Sequence, residues 1–231
     1  MLVLWDIDQT LVDYSGVGRR WYAEALNNVL GVDLLHIPDF AGRTERALAA
    51  ELLALHGSRN EEEDVQRVFA ELIRLARADR HDFATLGRAL PGAADILAEL
   101  YGRTEVVQSL VTGNLPELAG LKLEPFGLDR YVDLEVGGYG ALAVERHHLV
   151  SDAMTQAAAK YGRQYAPESV VVVGDTPRDM LAGRHHGTVT VGVATGRYGA
   201  DELHAAGATI VLPDLADTAA VLAAILSPRP T

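Results

Sequence analysis

Short apolar runs punctuate this chain at regular intervals. Leu2 to Trp5 is the first, and it stops at Asp6. Val106 to Val111, Val170 to Val173 and Thr188 to Val193 follow, with a shorter run at Ile210 to Leu212. Four to six apolar residues bounded by polar ones predict buried strands. Between them, helical spacing predicts helices near residues 92–102, 145–162, 178–186 and 200–206. Strands alternating with helices predict an α/β fold with a doubly wound parallel sheet, Rossmann-like in outline. In such sheets ligands bind beyond the carboxyl ends of the strands.

Residues 14–86 break the alternation. Val65, Val68, Phe69, Leu72 and Leu75 or Ala76 recur at helical spacing, and no strand pattern interrupts them. Glu61 to Asp64 stand where carboxylates favour a helix start. The chain returns to the strand–helix pattern near Leu90-Pro91-Gly92. The expected organisation is a core of residues 1–13 and 87–231 with an all-helical insertion at 14–86. Trp5 and Trp21 are expected to pack inside these units.

Composition narrows the function. The chain has 231 residues, 48% of them hydrophobic, which suffices for a sizeable core. It has no cysteine, so disulfides, thiolate nucleophiles and cysteine metal sites are excluded. The formal net charge is -12. Arg19-Arg20, Arg67, Arg74 and Arg77 read as solvated helix faces, so no basic patch offsets that charge for nucleic acid. No run of about 18 apolar residues is present, and no basic-then-apolar leader opens the chain. These features predict a cytoplasmic protein with no nucleic-acid or membrane partner.

Three strand ends carry the candidate chemistry. Asp6-Ile7-Asp8-Gln9-Thr10 follows the first strand. One of its carboxylates can act as nucleophile or metal ligand while the other moves a proton, although an Asx turn accounts for the same pattern. Val111-Thr112-Gly113-Asn114 ends the second, where a hydroxyl and a helix start suit a phosphate oxygen or an ordinary cap. Gly174-Asp175-Thr176-Pro177-Arg178-Asp179 follows the third, with Pro177 suited to the first turn of a helix. Asp179, four residues after Asp175, can face the same side. Asp6 and Asp175 are the hard-oxygen ligands that Mg2+ prefers. The adjacent pairs His147-His148 and His185-His186 point about 100° apart on a helix and read as surface or capping residues. Thr195-Gly196 is expected in a loop at the rim of the site.

In order and spacing these motifs resemble the haloacid dehalogenase superfamily, in its phosphatase branch, over nearly the whole chain. The resemblance implies that Asp6 is the nucleophile and Asp8 the general acid and base, with the Asp8 backbone carbonyl also meeting the metal. It implies that Thr112, Gly113 and Asn114 hold the transferring phosphate, and that Asp6, Asp8, Asp175 and Asp179 form the Mg2+ site. The insertion resembles the helical cap of such enzymes. Two departures stand out. Gln9 follows Asp8, where the family often has Gly or Asn. The lysine that should precede the third motif is missing at the expected place, and Arg146 at the opening of a helix is the substitute, with Lys160 too far along it. In the insertion, Phe40-Ala41-Gly42-Arg43-Thr44-Glu45-Arg46 resembles a cap loop that faces the active site. Arg43 is then the candidate reader of a remote anion, with Arg46 next and Thr44 a helix cap. The activity implied is hydrolysis of a small phosphorylated metabolite, by a monomer or homodimer, through an aspartyl phosphate. A sugar phosphomutase, a 2-haloacid dehalogenase and a non-catalytic binding protein are the alternatives.

Overall fold

A computed structural model describes residues 1–35, 38–58 and 62–227. In chain order the elements are β1 (Leu2–Trp5), β2 (Val12–Asp13), α1 (Val17–Leu30), α2 (Glu45–Leu55), α3 (Glu62–Ala78), α4 (Phe83–Leu86), β3 (Arg88–Ala89), α5 (Ala93–Tyr101) and β4 (Val107–Thr112). They continue with α6 (Pro116–Leu123), β5 (Gly138–Tyr139), α7 (His147–Tyr161), β6 (Val170–Gly174), α8 (Pro177–His185), β7 (Val189–Val193), α9 (Ala200–Ala205), β8 (Ile210–Leu212) and α10 (Thr218–Leu226).

Six strands form one parallel sheet in the order β5-β4-β1-β6-β7-β8. The five apolar runs are all strands, and the four expected helices are α5, α7, α8 and α9. Alternate residues of each strand serve opposite faces. Val3, Trp5, Val171 and Val173 join one core with α5 and α10, while Leu2, Leu4, Val170 and Val172 join the other with α7. Burial on both faces explains why the strands read as unbroken apolar runs. Five elements lay below the reach of the pattern. β2, β3 and β5 are two residues long, and in α6 and α10 the polar residues are too few to mark one face.

Between β2 and β3 the regular elements among the described residues are helices joined by loops, with α1 and α2 both packed on α3. The buried side chains of α3 are Val65, Val68, Phe69, Leu72, Leu75 and Ala76, the expected stripe. Glu62, Glu63 and Asp64 do occupy its first turn, and Glu61 lies outside the described residues. The way into this helical segment and the way out of it are paired: Val12 opposes Ala89 and Asp13 opposes Arg88 in an antiparallel hairpin. Trp21 and Phe83 pack together there, with ring centroids 5.6 Å apart. No helix among the described residues is long and apolar enough to cross a membrane.

Candidate active site

Because β4, β1 and β6 are neighbours in the sheet, the three motifs that end them meet at one edge. Asp6 continues the line of β1, its N–H donating to the Val173 carbonyl at 2.8 Å. Thr112 closes β4, and Asp175 follows β6 directly.

Asp6, Asp175 and Asp179 are buried, and each offers a carboxylate oxygen within 4.8 Å of the others. Asp179 reaches this group because of how α8 begins. Thr176 caps the helix and Pro177 fills its first turn, while Asp179 Oδ2 accepts from the Thr176 N–H at 3.1 Å and from its hydroxyl at 2.6 Å. That capping box fixes the carboxylate, and its Oδ1 turns towards Asp6 and Asp175. Burial raises the pKa of both Asp6 and Asp175. Arg146 opposes the rise at each, and the neighbouring carboxylates add to it. Oδ1 of Asp179 is buried and makes no hydrogen bond. Three crowded hard oxygens, one of them orphaned, are a donor set that fits a small divalent cation such as Mg2+.

Arg146 stands at the N-terminus of α7 and is itself buried. Its Nη2 donates to Asp6 Oδ1 at 2.7 Å and to the Val111 carbonyl at 3.0 Å, and lies 2.6 Å from Asp179 Oδ1. The last contact has ion-pair distance without hydrogen-bond alignment, which reconciles it with the unbonded Asp179 oxygen. Burial works against the guanidinium charge, but Asp179 and Asp6 outweigh it and hold the pKa above the usual range. The cation expected beside Asp6 therefore sits there as an arginine. Lys160 is far from it, paired on the surface with Asp133 and Glu135.

The Asp8 carboxylate does not join the acidic cluster. It faces a second cation that the motif reading missed. Lys122 Nζ donates to its two oxygens at 2.8 and 2.7 Å, and to Asn114 Oδ1 at 2.7 Å. Asn114 Nδ2 donates to Asp8 Oδ2 and to Thr112 Oγ1, both at 2.8 Å. The Asn114 amide is thus fully engaged within the protein. Its side chain orients Asp8 and Thr112, and its backbone is engaged as well: the N–H donates to Thr112 Oγ1 at 3.3 Å and the carbonyl accepts from the Gly140 N–H at 2.9 Å. The signal for Lys122 is a lysine on the otherwise apolar buried face of α6, shared with Leu118, Ala119 and Leu123.

The loop from Phe40 to Arg46 closes the site from the helical side. A cavity of about 300 Å³ lies beneath it, lined by Asp6, Asp8, Thr112, Lys122, Arg146 and Asp175 on the sheet side and by Tyr22, Arg43 and Glu45 opposite. Thr44 caps α2, accepting from the Ala47 N–H at 3.1 Å. Arg43, the candidate reader of a remote anion, lines the cavity and has protein partners of its own. Its Nη1 donates to Glu51 at 2.5 Å and its Nη2 to the Ala47 carbonyl at 3.1 Å, so the guanidinium is bound to α2, the helix that follows it. Arg46 is likewise engaged by the Ala141 carbonyl and Glu62. Gly113 faces the loop and accepts the Glu45 N–H at 2.9 Å.

Gln9 is the only non-glycine residue with positive φ among the described residues, at 61°. Left-handed backbone there explains why Gly or Asn suits the position. Here the Gln9 side chain compensates by donating to Asp13 at 2.6 Å and to Ser15 at 3.1 Å. Gly196, expected at the rim, packs against the acidic cluster: a Cβ on it would lie 1.9 Å from Asp175 Oδ2. The two histidine pairs meet each other, with the rings of His147 and His185 stacked at 4.0 Å. They do not bring ligand atoms to metal-site spacing.

Residues 149–218 match the family model described as HAD-hydrolase-like. No curated protein matches the sequence. Among solved structures, a hydrolase from Pseudomonas syringae is similar at TM-score 0.65 and 22% identity, over 95% of this chain and 96% of that one. A predicted phosphatase from Clostridium acetobutylicum is similar at TM-score 0.68 and 18% identity, over 96% and 97%. A predicted phosphoglycolate phosphatase from Haemophilus somnus 129PT is similar at TM-score 0.66 and 18% identity, over 95% and 96%. These likenesses extend over nearly the full length of each chain.

Proposed function

We propose, from the match of residues 149–218 to the HAD-hydrolase-like model and from a fold similar to that of solved hydrolases and phosphatases, that the chain is a magnesium-dependent phosphatase acting on a small phosphate monoester. The observation that supports this most directly is the buried cluster of Asp6, Asp175 and Asp179 at the sheet edge, with Arg146 against Asp6 and Thr112 beside it. A lone nucleophile for carbon would need neither the second carboxylate pair nor the proton-carrying group at Asp8.

In the proposed reaction an Asp6 oxygen attacks phosphorus in line. The ester P–O bond breaks, and the departing oxygen takes a proton from Asp8. A water then attacks the aspartyl phosphate while Asp8 accepts its proton, and the P–O bond to Asp6 breaks to free the carboxylate and inorganic phosphate. Asp6, Asp175 and Asp179, with the Asp8 backbone carbonyl, would hold Mg2+, which supplies charge neutralisation at the equatorial phosphate oxygens. Arg146, Thr112 and the backbone of Gly113 hold those oxygens from the protein side. Lys122 and Asn114 keep Asp8 turned into the cavity. Residues 14–86 serve as a cap that excludes water and contacts the organic part of the substrate.

Hydrolysis of p-nitrophenyl phosphate with and without Mg2+ tests the proposal. Turnover should require the metal and disappear in Asp6→Asn, and beryllium fluoride with Mg2+ should inhibit. An Asp6→Asn protein that retains above about a tenth of wild-type activity removes Asp6 as nucleophile, since loss of a covalent route costs orders of magnitude.

A further inference from the structure

The cap wall of the cavity carries an acid that the catalytic reading does not use. Glu45 opens α2, and it is 9% exposed. Tyr22 of α1, also buried, donates its hydroxyl to Glu45 Oε2. That bond fixes the carboxyl rotamer. The other oxygen, Oε1, has no partner among the described residues, and Glu45 lines the cavity opposite Asp8 and Lys122.

An acid in this place is costly. Burial raises its pKa to about 7; the Tyr22 hydroxyl and Lys122 oppose the rise and Asp8 adds to it. A cap wall built only to exclude water would be apolar, like the Leu48 and Phe40 that flank it. An oriented acceptor with one free oxygen suits a ligand that brings a hydrogen-bond donor. It repels one that brings a second anion, at a range where the low-dielectric wall screens little.

The cations around the cavity agree with this polarity. The guanidinium of Arg43 is held by Glu51, Lys122 by Asp8 and Asn114, and Arg146 by Asp6 and Asp179. Arg19 alone lacks a partner among the described residues, but it is exposed at the mouth, where water and salt screen it.

Resting on the phosphatase reading, we propose that Glu45, oriented by Tyr22, selects phosphate monoesters whose organic part carries a hydrogen-bond donor, a hydroxyl or an amine, and rejects those that carry a second anion. The cavity of about 300 Å³ is at the low end for ligand sites and limits that organic part to a few heavy atoms. The same polarity disfavours a bisphosphate, and so a mutase cycle.

The test compares kcat/KM for glycerol 3-phosphate, phosphoethanolamine and phosphoglycolate, each divided by the value for p-nitrophenyl phosphate. The unaltered protein should favour at least one donor-bearing ester over phosphoglycolate by tenfold or more. Glu45→Leu should abolish that preference, and Tyr22→Phe should reduce it, with the melting temperature of each variant measured to confirm folding. Glu45→Gln separates the two donors. It keeps an acceptor and so retains a preference for the hydroxyl ester, but it loses the charge that favours the ammonium. Equal or better use of phosphoglycolate by the unaltered protein overturns the proposal and points to Arg19, as does a preference that survives Glu45→Leu. If p-nitrophenyl phosphate is not turned over with Mg2+, the phosphatase reading fails by itself. Calorimetric binding of glycerol 3-phosphate against phosphoglycolate to the unaltered protein then decides the Glu45 question, with the same order expected.

Discussion

Lys122 grips both carboxylate oxygens of Asp8, at 2.8 and 2.7 Å, from a helix that begins after a different strand. The residue proposed to move the proton is thus tethered by a cation from α6, and its position depends on the packing of α6 against α3 as well as on β1. Lys122→Met should lower kcat for p-nitrophenyl phosphate by tenfold or more, about 1.4 kcal/mol of transition-state stabilisation. KM should change less, because the phosphate-holding groups stay in place. A kcat within twofold of wild type in a folded variant would show that Asn114 alone orients Asp8.

Arg146 is confined by two carboxylates, and its removal leaves both buried without a counter-charge. Arg146→Ala should therefore destabilise the protein, by on the order of 3 kcal/mol for a broken buried pair, and abolish turnover. Arg146→Lys should recover part of both, since one ammonium can replace the single Nη2 that makes the contacts. His147→Ala, one residue along on the surface, should change neither. Chemical denaturation and initial rates on the three variants check this order.

Mg2+ should raise the melting temperature of the unaltered protein and not that of Asp175→Asn. At a hundredfold excess over its dissociation constant, a ligand adds about 2.7 kcal/mol. Gly196→Ala should weaken the effect although residue 196 supplies no ligand, because its methyl group would fall on Asp175 Oδ2. A full thermal shift in Gly196→Ala would mean that the loop yields without moving Asp175.

Glu45 makes stability depend on pH in a definite direction. Burial holds its folded pKa near 7, above the ordinary 4.5, so the folded chain binds its proton more tightly than the unfolded one. The folded state suffers no penalty below about pH 4.5, loses stability as pH rises towards 7, and carries the whole penalty above it. A shift of this size corresponds to roughly 3 kcal/mol. Tyr22, Lys122 and Asp8 face the same carboxyl from α1, α6 and the loop after β1. Glu45→Gln should melt several degrees higher than the unaltered protein at pH 8 and at the same temperature at pH 4.5. A constant difference across that range would show that Glu45 does not titrate on unfolding.

The sheet was legible because its strands are buried on both faces and leave unbroken apolar runs. The three motifs were legible because their order along the chain puts them on adjacent strands. Arg146 could be found as the cation at a helix opening near the right place. Lys122 and Glu45 could not be found that way. Lys122 comes from an element outside the motifs, and Glu45 stands in the Phe40–Arg46 segment where Arg43 and Arg46 drew the attention; what singles each out is burial against another segment, which no local pattern records. The Arg43 pairing is of a related kind: Glu51 lies about two turns beyond it inside α2, outside its nearest neighbours in the sequence.

The first turn of α2 is sewn to the sheet domain by two amide bonds, Glu45 N–H to the Gly113 carbonyl and Arg46 N–H to the Gly140 carbonyl, both at 2.9 Å. Helix-start N–H groups ordinarily wait for a cap or for water, and these two are held by the loops that follow β4 and β5. If the helical segment lifts as the proposed cap, both must break together. Exchange of the amide hydrogens of residues 45 and 46 with deuterium would then occur in step, and its rate would report how often the door stands open. Any ligand that fastens the door should slow that pair together, whatever else it does to the molecule.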